Sequence, residues 1–151
     1  MTTTKTDNFS SLAAFIWSVA DTLRGDFKQS EYGRVILPFT ILRRLECVLE
    51  PTRDDVVKEL HKRKSSKGSV TSYLEKASGF SFFNSTNLDL SKLGINDTKP
   101  NLETYVESFS ENVADIFQQF HFQDVIDRLH HANLLFHVCA RRKLALSHKM
   151  D

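Results

Sequence analysis

The chain has 151 residues, a net charge of +1, and 40% apolar against 26% charged side chains. That length builds one domain around a single core, and the balance is that of an ordinary globular protein. It excludes a uniformly basic nucleic-acid binder, and no run approaches the ~20 apolar residues of a membrane span. The charge is segregated instead. Residues 1–70 carry 12 Lys/Arg against 9 Asp/Glu, residues 71–127 carry 3 against 9, and residues 128–151 carry 5 against 1.

Residues 1–8 are polar and Thr-rich, which predicts a disordered tail and a helix start near Phe9–Ser11. Leu12, Ile16, Val19 and Leu23 then recur on one face of a 3.6-residue period. Lys5 and the apolar run to Ala20 imitate a signal peptide, but Asp7 interrupts the basic region and the pattern continues to Leu23. Gly25 follows, suited to the left-handed turn past a helix end. After the loop Asp26–Ser30 comes a second apolar run through Val35, Ile36, Phe39, Leu42, Leu45, Val48 and Leu49, closed by Pro51. Pro38 interrupts it. A mid-helix proline removes a donor and costs about 3 kcal/mol or more, which predicts a kink or a helix start between Gly33 and Pro38.

Thr52, Asp54 and Asp55 make a helix start, with the threonine hydroxyl as cap and acids at the positive dipole end. That third helix runs into His61–Gly68, which contains no apolar residue. Lys62, Arg63, Lys64 and Lys67 there read either as a solvated loop or as a phosphate-contacting element, with Arg43 and Arg44 as a weaker second group. A short helix over Thr71–Ala77 ends at Gly79. Phe80, Phe82 and Phe83, with Leu88 and Leu90 beyond a polar turn, suggest a small β hairpin packed on helices. A base-stacking role for these rings is disfavoured by the acidic flank.

Helical patterns return with Asn101 and Ser110 as candidate caps, and a last long helix from about Gln123 carries Val125, Leu129, Ala132, Phe136 and Cys139 on one face. The expected fold is mainly α, a helical bundle with at most one small β hairpin. Cys47 and Cys139 sit among apolar neighbours, which predicts reduced, buried thiols and a cytoplasmic protein. The sequons at Asn8, Asn84 and Asn96 are then coincidental.

Trp17, Ala20-Asp21, Leu23-Arg24-Gly25, Lys28, Ser30-Glu31-Tyr32-Gly33, Val35–Phe39, Leu42–Leu45 and Leu49-Glu50-Pro51 form an ordered series. Together with the segment Asn101–Phe136, they resemble the N-terminal helical domain of the modification subunit of type I restriction–modification systems. The likeness spans roughly Phe9–Val138 and fades beyond it. It implies a domain over residues 9–140 and a divergent or truncated tail over 141–151. It also implies a role beside the specificity subunit, a second modification subunit and DNA. The polar loop residues Lys28, Ser30, Glu31 and Tyr32 are the candidate partner-contacting surface.

That family methylates adenine N6 with S-adenosylmethionine (AdoMet) as donor, in a catalytic domain that follows the helical one. The chemistry needs a glycine-rich turn and an Asn/Asp-Pro-Pro-aromatic tetrad. Here Gly25, Gly33, Gly68, Gly79 and Gly94 are far apart, and Pro38, Pro51 and Pro100 are never adjacent. The catalytic domain is therefore expected to be absent from this chain, which on its own should hold no cofactor and transfer no methyl group. His121, His130, His131, His137 and Cys139 lack zinc spacing and read as surface or partly buried residues. The alternative function is a free-standing helical interaction or regulatory module without a methylation role.

Overall fold

The computed structural model describes residues 2–64 and 70–140, with residues 2–9 as backbone alone. It is mainly helical, and no β-strand occurs among the described residues. The order is α1 (Thr2–Leu23), α2 (Tyr32–Leu49), α3 (Arg53–Lys62), α4 (Thr71–Ser78), α5 (Thr98–Glu107), α6 (Glu111–Gln119) and α7 (Phe122–His131). A further helical segment covers 135–140.

Helix α1 begins at Thr2, ahead of the start that the polar composition suggests. It buries Phe15, Val19 and Leu23, one helical stripe, against α2. Ser18 and Thr22 turn their hydroxyls onto the carbonyls four residues back, at 2.8 and 2.9 Å, which keeps these polar groups satisfied within the helix. Gly25 takes φ 99° and reverses the chain, as its place after Leu23 predicts.

Helix α2 corrects the expectation for Pro38. It starts at Tyr32, after a single 3-10 turn over Gln29–Glu31, and continues through Pro38 to Leu49 without a break. The physical reason is burial: Val35, Pro38, Phe39 and Leu42 all face the core, and their packing outweighs one missing donor.

One core unites α1, α2, α5, α6, α7 and the segment 135–140. A chain of rings runs through it. Phe39 of α2 meets Phe122 of α7 edge-on at 5.1 Å, Phe122 meets Phe117 of α6 at 5.3 Å, and the series continues through Phe109 to Tyr105 of α5. Such contacts add to area burial because ring edges and faces carry opposite partial charge. A smaller cluster of Val56, Leu74 and Phe83 joins α3 to α4.

The expected hairpin over residues 80–90 does not form. The Phe83 N–H donates to Ser110 Oγ at 3.2 Å, the Ser110 N–H returns to the Phe83 carbonyl at 2.8 Å, and the Ser85 N–H reaches the Ser108 carbonyl at 3.0 Å. The segment thus satisfies its backbone on the α5–α6 turn, and only an isolated bridge, Asn84 with Phe109, has sheet geometry there.

Capping also differs from expectation. Ser110 occupies the N-cap of α6, but its hydroxyl serves Phe83 and Asn112. Thr52 sends its hydroxyl across to the Ser78 carbonyl at 3.0 Å, tying the start of α3 to the end of α4. Asn101 lies inside α5, which starts at Thr98, and its amide donates to the Leu93 carbonyl at 2.8 Å. The expected long last helix is split, because Asn133 adopts φ 59° between α7 and the segment 135–140. Helix α4 does end at Gly79, in the left-handed conformation.

Candidate interaction surfaces

The loop between α1 and α2 is held by one arginine. The Lys28 N–H donates to Glu31 Oε1 at 2.9 Å, and Arg128 of α7 donates to Glu31 Oε2. The same guanidinium lies 4.3 Å from the ring centroid of buried Phe27. Arg128 therefore fixes both the polar and the aromatic side of the loop. Its hydrogen bond, with help from the Lys28 N–H, holds the Glu31 carboxyl down at about 2.

Beside this loop a groove of about 1050 Å³ separates residues 27–40 from the α6–α7 junction. Ile16, Ile36, Leu37, Phe120 and Val125 give it an apolar lining, and Ser30, Glu31, Arg34, Asp124 and Arg128 stand at its polar positions. Leu37 is 50% exposed there, a large apolar side chain half open to solvent. Of the loop residues named from the sequence, Ser30 and Glu31 line the groove and Lys28 is exposed nearby. Tyr32 packs against the core. The groove itself was not read from the sequence. The available signal was Leu37, a large apolar side chain outside the stripe of Val35, Phe39 and Leu42.

The basic residues separate into three groups. Lys62 and Lys64 are exposed at the C-terminal end of α3, and Arg44 is exposed on α2. Arg63 is more constrained: it donates to Glu59 at 3.0 Å and its guanidinium lies 3.9 Å from the centroid of the Tyr73 ring. Lys67 lies outside the described residues. Arg43 corrects the sequence reading. It is buried, 3.7 Å from buried Glu46, and donates to Cys47 Sγ, so it is not presented to a phosphate. Arg44, one position on, is turned by about 100° off that buried stripe and into solvent.

Cys47 is exposed, contrary to the expectation of two buried thiols, whereas Cys139 is fully enclosed. Burial pushes the Cys139 thiol well above its ordinary range. His121, His130, His131 and His137 are exposed. Among the described residues no group of three or more His, Cys, Asp or Glu side chains is arranged to hold a metal ion. No described helix is long and apolar enough to cross a membrane.

No curated protein and no solved structure shows a significant match to the chain. The family described as the HsdM N-terminal domain matches residues 12–141, nearly the whole described fold. The chain belongs to the HsdM N-terminal domain family, the helical domain of type I restriction–modification modification subunits.

Proposed function

We propose that this domain serves subunit assembly in a type I DNA adenine-N6 methyltransferase, and that the groove between α2 and the α6–α7 junction receives a neighbouring subunit. The observation that carries this reading is Leu37, half exposed in an otherwise packed apolar groove beside the Arg128-anchored loop. Burying the exposed half of such a side chain contributes about 1 kcal/mol, while the fixed loop limits the ordering cost of docking. The expected partners are the specificity subunit and a second modification subunit. AdoMet belongs to the catalytic domain of the family and not to any surface of this one.

The exposed pair Lys62 and Lys64, with Arg44, supports a secondary role in steadying DNA within the assembly. Phosphate contacts position a duplex without reading its sequence. Two or three of them give weak binding alone, and tethering to other subunits raises their effective concentration.

The test is Leu37→Glu in the modification subunit, co-expressed with the specificity subunit and followed by sedimentation. Loss of the assembled species with an unchanged helical spectrum is expected. Assembly equal to that of the unaltered protein removes the groove from the interface.

A further inference from the structure

A second groove, of about 300 Å³, opens where α5, α6 and α7 meet. Its floor is formed by the buried side chains Phe117, Phe122 and Ile126. Glu103, Glu107 and Asp124 stand around it. The groove shares only His121 and Asp124 with the larger one.

The charge at this groove is one-sided. No lysine or arginine lines it, and among the described residues none of the three carboxylates has an ion-pair partner. Glu103 accepts a hydrogen bond from the Gln123 amide at 2.6 Å, which orients its carboxylate without neutralising it. The adjacent cation, Lys99, is already paired with Asp127 at 3.1 Å.

We propose that this groove docks a lysine- or arginine-bearing amphipathic segment of a partner protein. An apolar groove with a carboxylate rim matches the two parts of a long cationic side chain: the aliphatic stem covers the half-buried Val106 and Ala114, and the head meets the acids. The volume sits at the lower edge of the about 300–1,000 Å³ typical of binding pockets, room for an anchoring side chain and its apolar neighbour. The same field repels a phosphate backbone, so this face takes protein and not DNA.

The experiment is an NMR titration of the isotope-labelled full chain. Three probes are used: a synthetic amphipathic leucine–lysine peptide, its leucine–glutamate counterpart and a short DNA duplex. The lysine peptide should shift backbone amides in 103–107 and 117–126, and the other two probes should leave them in place. Glu103→Gln with Glu107→Gln should weaken the lysine peptide about fivefold and flatten its salt dependence, as expected for two partly exposed charges. Neither residue lines the larger groove, and Leu37→Glu should leave peptide binding unchanged, so this result is separable from the assembly test. Equal binding of the glutamate peptide, shifts confined to other faces, or an unchanged dissociation constant in the double variant overturns the proposal.

Discussion

Glu46, buried in the last turn of α2, accepts the backbone N–H of Leu90 at 2.6 Å. The same oxygen receives the Tyr105 hydroxyl at 3.3 Å, and Arg43 lies 3.7 Å from its other oxygen. One carboxylate thus joins α2, the irregular segment before α5, and α5 itself. Burial raises the Tyr105 hydroxyl above its ordinary range, and the negative charge of Glu46 adds to the effect. Tyr105 is therefore a donor at every physiological pH. Glu46→Ala leaves a buried guanidinium without its counter-charge, and an amide and a phenol without their acceptor. The expected loss is about 3 kcal/mol, measured by urea unfolding, because removing one member of a buried pair strands the other. A loss below about 1 kcal/mol, the size of an ordinary surface change, would contradict this account.

The Glu31–Arg128 contact makes a prediction for acid titration. Arg128 donating to the carboxylate, followed by the Lys28 N–H, lowers the Glu31 pKa from 4.5 to about 2. A depressed folded-state pKa stabilises the fold above the unfolded value of 4.5, and that contribution is lost as pH falls toward 2. Carbon-detected NMR of the Glu31 carboxyl should show its midpoint near 2, and Arg128→Gln should return it toward 4.5. A midpoint near 4.5 in the unaltered protein rules out a formed pair in solution.

The two thiols should differ in reactivity. Cys47 is exposed and Cys139 is enclosed, with its thiol held protonated by burial. A disulfide reagent should titrate one thiol quickly in the folded chain and the second only after denaturant is added. Two fast thiols would mean that the segment 135–140 opens readily from the core.

Much of the fold was legible because it rests on local periodicity. The stripe ending in Leu23, the Gly25 and Gly79 stops and the register of Val113 and Phe117 all follow from spacing along one helix. What was illegible depends on distant partners. Phe80–Leu90 has strand composition, but its backbone finds Ser108 and Ser110 first. Pro38 violates a local rule and is retained inside a helix whose buried face compensates. Arg43 and Arg44 are alike in residue type, but Arg43 shares the buried stripe of Phe39, Leu42 and Leu49, where Glu46 supplies its counter-charge. The groove was partly visible in Ser30 and Glu31, which line it. Arg128, which positions that loop, is 97 residues away from Glu31 and carries no sequence signal of that role.

The division between the arginines gives the sharpest test of DNA contact. Lys62, Lys64 and Arg44 are exposed, whereas Arg43 is committed to Glu46 and Cys47. Each phosphate neutralised contributes about 0.9 to the log–log dependence of affinity on salt. In the assembled methyltransferase, Lys62→Ala with Lys64→Ala should reduce that slope by about 1.8, and Arg44→Ala by about 0.9, if each meets one phosphate. Arg43→Ala should behave differently. It leaves Glu46 buried without its cation and lowers thermal stability, while the salt slope of the remaining folded protein stays the same. Filter binding across a salt series, read beside thermal melts, separates the two outcomes. A full slope in the Lys62/Lys64 variant assigns the end of α3 to solvent, and a reduced slope in a fully stable Arg43 variant contradicts its buried pairing.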